Sequence, residues 1–312
     1  MTFNATLIKS ISCSQGAIRA VRFNVDGDYC ITCGSDKSIK LWNPRKSLLL
    51  KTYSGHGYEV MDARGSCDSS HIASGGMDKC IFLWDVSTGQ VVKRYRAHHA
   101  FINCVQFNEE STVILSGSVD CTVKTWDCKS KSRDPIQIFN EAKDSITSIA
   151  VSNYEIITGS LDGKVRRYDL RKGQLNVDDQ SSPVNYVSLT KDGQCLLISC
   201  GNGVIKLLEK ETGEILSEYR GHVNNKYRLE SGLINNDSIV VSGSEDANLV
   251  CWDLIQVSFN VISNAKKKVI QRVYHANHRV VHSLSCHPSK NEILTSAEGS
   301  IHLWEFIEPE TS

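Results

Sequence analysis

The chain is short of the features that mark most protein classes. Its 312 residues include five prolines and three methionines, and no apolar run approaches the ~18 residues a membrane-spanning helix needs. No membrane contact is expected. There is no charge excess either: 35 bases face 35 acids, a formal net charge of zero. Affinity for nucleic acid needs clustered bases, so no direct nucleic-acid binding is expected. The start, MTFNATLIKSIS, lacks a charged segment leading into an apolar one, so a secretory signal is not expected. Cytoplasm and nucleus are the expected compartments. Long stretches of 3.6-residue periodicity are also missing, which argues against a helical fold.

Cysteine is plentiful by contrast. There are twelve, many inside apolar runs such as YCITC and NCVQF. Buried reduced thiols account for that pattern in a chain without a secretory signal. Cys30 and Cys33 spell CxxC. Residues i and i+3 of a strand face opposite ways, however, and no second CxxC completes a zinc site. Neither metal nor cofactor is expected.

The five tryptophans carry the organisation. Trp42, Trp84 and Trp126 are 42 residues apart, and the same phase then meets Tyr168, Leu208, Trp252 and Trp304 after steps of 42, 40, 44 and 52. Six residues before these anchors stand Asp36, Asp78, Asp120, Asp162, Asn202, Asp246 and Glu298. An acidic residue follows every anchor except Trp42, which precedes Asn43. Each unit holds short apolar or alternating runs, in the first AIRAVRF, YCITCGS, SIKLWN and SLLLKTY, separated by corners such as VDGD, STGQ and ETGE. Four short strands per repeat form a sheet blade. The sequence therefore predicts an all-β fold, a seven-bladed β-propeller of four-stranded antiparallel blades, as a single domain over 1–312. The seventh unit runs out of sequence after its third strand, while an extra strand precedes the first unit. An N-terminal strand at 5–12 is expected to close the last blade, leaving a short disordered acidic tail at 307–312.

His98, Ser116 and Asp120 supply the residue types of a hydrolytic triad. A nucleophilic serine needs exposure, an oxyanion hole and one copy. Here the constellation recurs three times, each serine in mid-strand beside a bulky tryptophan. A structural brace is expected, and no catalytic residue. Gly55-His56, Gly221-His222, the turn aspartates and the Trp-Asp pairs at 84–85, 126–127 and 252–253 resemble the marks of the WD-repeat (WD40) family. The resemblance implies a hydrogen-bonded tetrad. The tryptophan N–H donates to a serine or threonine hydroxyl, which meets a histidine held on its other side by the turn aspartate. It assigns His56, Ser74, Asp78 and Trp84; His98, Ser116, Asp120 and Trp126; and His222, Ser242, Asp246 and Trp252. The first repeat keeps Thr32, Asp36 and Trp42, and the fourth Thr158, Asp162 and Tyr168, both without the histidine. The fifth and seventh are more degenerate.

In that family the loops entering the first strand and the turns between second and third strands share one face. Here they carry Tyr58, Glu59, Met77, His99, Phe101, Leu161, Tyr227 and Glu245. Aromatic residues beside charges suit a protein-recognition surface. Three local features add weaker signals. The segment after Trp252 is about nine residues longer than its counterparts and carries Lys266, Lys267 and Lys268. It reads as an extended hairpin on the opposite face: a solvated loop, a contact arm or a nuclear-import-like patch. The run at 157–171, with Asp169 and Arg171, resembles the WDxR-type box of cullin-RING ubiquitin-ligase substrate receptors, but overlaps ordinary repeat grammar. RKSLLLK at 45–51 has the pattern of a kinase-docking peptide, yet falls where an outer strand is required.

Longer segments, among them TYSGHGYEVMDA and KETGEILSEYRGH, resemble a particular group within the family. Its members are WD-repeat scaffolds that organise mitogen-activated protein kinases and are also spliceosome-associated. The likeness covers residues 16 to about 254 and implies a non-enzymatic scaffold with protein partners. Those partners would be components of the extracellular-signal-regulated kinase cascade, a prolyl hydroxylase of the hypoxia response, and splicing factors. The chain would be a monomer within larger complexes. A spliceosome subunit in pre-mRNA splicing is the alternative, and a cullin-RING ligase substrate receptor a lesser one.

Overall fold

The computed structural model describes residues 4–96, 98–152, 154–254, 266–267, 269–275 and 279–307. Seven antiparallel sheets follow one another along the chain. The first blade consists of Ile18–Phe23, Cys30–Gly34, Ser38–Asn43 and Leu48–Ser54, from the inner to the outer strand. The next five blades occupy 60–96, 102–139, 146–179, 184–220 and 231–274. Inner strands of neighbouring blades pack against each other, and the first blade packs on the seventh, so the sheets close into a ring around a central channel.

Closure comes from the start of the chain. Asn4–Ser12 is the outer strand of the seventh blade, running antiparallel to Ser300–Ile307, with Asn4 opposite Ile307 and Ser12 opposite Ser300. One blade thus joins both ends of the described chain. Ile307 ends a strand; the rest of the expected tail, 308–312, lies outside the described residues.

Each blade is covered by a neighbour on both sides, which explains why its middle strands lack a polar face. In the second blade Cys80–Asp85 is buried at every residue but the last. Between the first two blades Ile31, Cys33, Ile39 and Tyr53 pack against Ile72, Phe82 and Trp84. Burying one such side chain stabilises by about 1.5–3 kcal/mol. Cys30 and Cys33 enter different clusters, on opposite faces of the first blade. All twelve cysteines are free, and burial pushes both of these thiols well above their ordinary range.

The turn acids have a local task. In six of the seven turns the residue after the acid, or after Asn202, takes a left-handed conformation: Lys37, Lys79, Cys121, Gly163, Gly203 and Ala247 have φ between 62° and 80°, while in the seventh Glu298 itself does, at 53°. That conformation costs a residue with a Cβ about 1 kcal/mol or more. The aspartate offsets it by accepting the N–H two residues on, as Asp78 does from Cys80 (3.1 Å) and Asp120 from Thr122 (3.1 Å).

Most of the long segment after the sixth anchor, and with it the expected hairpin, lies outside the described residues. Within it, Lys266–Lys267 pairs in parallel with Glu218 and Tyr219, adding a fifth strand to the fifth blade. The open edge of Ile215–Arg220 supplies the unpaired backbone groups that permit this. Residues 255–265 and Lys268 lie outside the described residues.

Candidate functional site: a braced face around the channel mouth

Two complete tetrads stand behind the face. In the second blade His56 Nδ1 lies 2.9 Å from Asp78, His56 Nε2 lies 2.8 Å from the Ser74 hydroxyl, and the Trp84 N–H donates to that hydroxyl (2.8 Å). The third blade repeats this with His98, Asp120 (2.9 Å), Ser116 (2.7 Å) and Trp126 (2.9 Å). Burial works against the His98 cation and lowers its pKa, so the ring is neutral at physiological pH. Burial also opposes the Asp120 carboxylate, but bonds from His98 and Thr122 outweigh it and hold the group below the usual carboxylate range. Ser116 is 0% exposed, enclosed between an indole and an imidazole, and no substrate reaches it.

The sixth repeat does not form its tetrad. The Trp252 N–H donates to the Arg220 carbonyl (3.0 Å), Ser242 bonds to backbone carbonyls, and neither ring nitrogen of buried His222 has a partner. Two local causes are visible. Gly221 adopts φ +118°, which re-aims the residue after it, and Asp246 faces Arg272 at 3.4 Å instead of the imidazole. The first repeat replaces the missing histidine with Gln15, which accepts from Thr32 and donates to Asp36 (3.4 Å). Trp42 completes that chain on Thr32 at 2.9 Å. The seventh is less degenerate than expected: His275 and Trp304 both meet Thr295, at 3.0 and 2.9 Å. In the fourth, the Tyr168 hydroxyl turns to Glu141 (3.0 Å) and Thr158 is left unpaired.

These braces fix the loops that carry the recognition candidates. Asp78 also accepts the Gly57 N–H (3.1 Å), and Asp120 the His99 N–H (2.9 Å), so each histidine loop is held at its tip. Beside them Tyr58 is 63% exposed, Phe101 44%, Tyr227 47% and Leu161 38%. Met77 is half-buried, its N–H bonded to the Glu59 carbonyl (2.9 Å), and the His99 side chain is exposed. Glu59 is paired with Arg19 at 2.8 Å. Glu245 has a structural role: it accepts the N–H groups of Asn225, Lys226 and Tyr227 at 2.8, 2.6 and 2.9 Å and shapes the loop that presents Tyr227.

Sequence reasoning missed what lies at the centre of this face. Six inner strands carry a β-bulge near their start, and the bulged residues are Arg19, Met61, Asn103, Thr147, Asn185 and His282. A bulge re-aims a side chain, and all six line a cavity of about 490 Å³ at the channel mouth. The sixth blade supplies Arg228 instead, whose guanidinium crosses the channel to the carbonyls of Asn103 (3.2 Å) and Thr147 (2.8 Å). No residue type is shared by more than two of the six bulges, so nothing in the sequence pattern marks them.

Deeper in the channel lies a charged knot. Arg22 meets Glu230 at 2.6 Å and Asp62 at 3.1 Å, with side-chain exposures of only 3%, 2% and 2%. Arg22 also donates to the Ser283 hydroxyl (2.8 Å), Asp62 accepts the Val105 N–H (3.1 Å), and Glu230 the Leu284 N–H (3.1 Å). Blades one, two, three, six and seven are thereby tied together. The available signal was the charge itself, in the otherwise apolar strands VRF and MDA.

The weaker candidates resolve into local structure. Asp169 accepts the N–H groups of Arg171 (2.9 Å) and Lys172 (3.0 Å), the same turn that Asp127 forms with Lys129 (2.6 Å) and Ser130 (2.8 Å). Arg171 is exposed and stacks on Tyr154, 3.5 Å from the ring centroid. Within RKSLLLK, Leu48–Ser54 is the outer strand of the first blade, and Arg45 is paired with Glu292.

A closed ring of repeats, braced by buried polar tetrads and free of an accessible nucleophile at them, defines a WD-repeat propeller, a class of protein-interaction scaffold. Residues 57–250 match the family model "Nucleolar protein 10-like, N-terminal domain", and residues 5–43 and 268–305 match "WD domain, G-beta repeat". The chain is 58% identical to WD repeat domain-containing protein 83 of Rattus norvegicus, over 95% of this chain and 91% of the relative. It is 53% identical to the protein of that name in Homo sapiens over the same shares, and 34% identical to the Dictyostelium discoideum homolog over 95% and 97%. The chain belongs to the WD40-repeat family, in the group of WD repeat domain-containing protein 83.

Proposed function

We propose that this chain is a non-catalytic assembly scaffold whose partners dock on the face bearing Tyr58, Phe101, Leu161 and Tyr227. The observation that carries the reading is the exposure of these four side chains, with Tyr58 and Phe101 on loops held from behind by the His56 and His98 tetrads and Tyr227 on a loop bound by Glu245. Rigid, exposed aromatic residues lose little conformational freedom on binding and act as anchors. The partners proposed are components of the extracellular-signal-regulated mitogen-activated protein kinase cascade and the prolyl hydroxylase of the hypoxia response. The working compartments are cytoplasm and nucleus. What supports this finer reading is the extended sequence resemblance to organisers of that cascade.

The test is recovery of the tagged chain from cytosolic and nuclear extracts, with copurifying proteins identified by mass spectrometry. Kinase-cascade components should be recovered with the parent chain and lost with the Tyr58→Ala/Phe101→Ala double variant. Exclusive recovery of splicing factors would replace the kinase reading with the spliceosomal one. Recovery of a cullin adaptor, lost on Arg171→Ala, would favour the ligase reading.

A further inference from the structure

We infer that the channel mouth is a carboxylate socket: it receives an aspartate or glutamate, flanked by apolar residues, on an extended segment of a partner protein. The inference rests on the reading of this face as the docking surface and adds the chemistry of what docks there. Three cations line the mouth, Arg19, Lys226 and Arg228, and no carboxylate does. The carboxylates around it have partners of their own, and one of them, Glu59, neutralises Arg19, which leaves Lys226 and Arg228 as the positive charge the mouth offers. Glu59 accepts from Arg19 Nε (3.0 Å) and Nη2 (2.8 Å), Glu230 sits on Arg22 below, and Glu245 is bound by three successive backbone N–H groups. Arg228 is anchored on two carbonyls across the channel, so its charge is fixed over the opening.

Lys226 is different. Its side chain is exposed, and its ammonium makes no hydrogen bond or ion pair among the described residues. It stands beside Tyr227, whose ring meets His282 edge-on at 5.1 Å. Met61, Val119 and Leu161 form the apolar part of the wall. A cavity of about 490 Å³ is far larger than one carboxylate and accommodates its neighbours along an extended segment. Across such a contact, charge complementarity selects the partner and orients it, and the exposed lysine, which makes no direct ion pair, is the group that reads the sign.

A random-peptide library displayed on phage, panned against the full chain, tests this. The parent chain should enrich sequences in which Asp or Glu is flanked by apolar residues. The best of them, made synthetically and followed by fluorescence anisotropy, should bind about tenfold more weakly to Lys226→Glu and lose affinity on raising the salt, because the contact is partly solvent-exposed. Panning against Lys226→Glu should shift the selection towards Lys and Arg. Lys226→Gln, which removes the charge without reversing it, should give an intermediate loss, and unchanged melting of both variants shows the fold is intact. Selected peptides without an acidic residue, or acidic ones indifferent to position 226, overturn the socket. If such peptides still depend on Tyr58 and Phe101, the docking face stands without it. If no peptide depends on Tyr58, Phe101 or Lys226, both readings fall.

Discussion

Replacing Arg22 with methionine removes the cation shared by Glu230 and Asp62 while keeping an apolar, unbranched stem in its place. Glu230 then lies buried with its 2.6 Å partner gone, and Asp62 loses its 3.1 Å contact. Breaking a buried ion pair from one side costs about 3–5 kcal/mol, because the remaining charge is left desolvated. With ~2.1 cal/mol/K of unfolding entropy per residue, the 312 residues here convert that into a melting drop of about 5–8 °C. The pH dependence has a defined sign. In the parent chain burial opposes the Glu230 carboxylate, but Arg22 outweighs it and holds the group below its ordinary range. A carboxylate lowered in this way contributes stability that is present above its unfolded value and lost as pH falls through the folded one. Without Arg22 only the more distant Arg228 charge and the Ser283 and Leu284 donors are left to oppose the burial cost, and the balance moves towards the protonated acid. The deficit of the variant should therefore be largest near pH 7.5 and shrink towards pH 5. Adding Glu230→Gln to Arg22→Met should recover part of the loss. Paired melts across pH decide it. A variant melting within a degree of the parent, or a deficit that grows in acid, would refute the account of the knot.

The tetrads predict an inequality. His98→Ala should cost about 1–3 kcal/mol by denaturant titration, since it takes one buried hydrogen bond from each of Asp120 and Ser116, whereas His222→Leu should cost less, because His222 has no hydrogen-bond partner to lose; the reverse order would count against the assignments. Acid should destabilise the chain through its buried histidines. Burial lowers His222 to about 4, His275 to about 3 and His302 to about 4. Their stability is complete above the unfolded value near 6.5 and declines as pH falls below it, by up to roughly 1.4 kcal/mol per pH unit for each group. His302→Leu should flatten that slope by about one proton, and an unchanged slope would exclude His302 as a contributor. Deleting residues 1–12 removes the outer strand of the seventh blade and should lower the melting temperature by many degrees; an unaltered melt would show that closure does not depend on it.

The architecture was legible because it rests on spacing. Tryptophan, or Tyr168 or Leu208 in its place, returns to the third strand of each blade, and an aspartate or Asn202 precedes the left-handed turn residue in six of them, so both recur at nearly regular intervals. The tetrads were legible only where the backbone repeats as faithfully as the residue types. At His222 the residues are right, but Gly221 turns the chain and Arg272 competes for Asp246. At Gln15 the residue type changed while the hydrogen-bonding role survived, which a search for histidine overlooks. The channel mouth and the knot were not legible. Their members sit at equivalent depths in different blades, and Arg22 meets Glu230 across 208 residues of sequence. Contacts made by ring closure leave no trace in a local pattern.

The central claim is that partners are held on one braced face. Cross-linking through lysine, followed by mass spectrometry on complexes recovered from cells, tests it most directly. Lys37, Lys79, Lys143 and Lys226 lie in the turns and loops of that face and are exposed, while Lys46, Lys129, Lys172 and Lys290 are exposed in turns at the other end of the strands. The account predicts that inter-protein links concentrate on the first set. Links confined to the second set would contradict it.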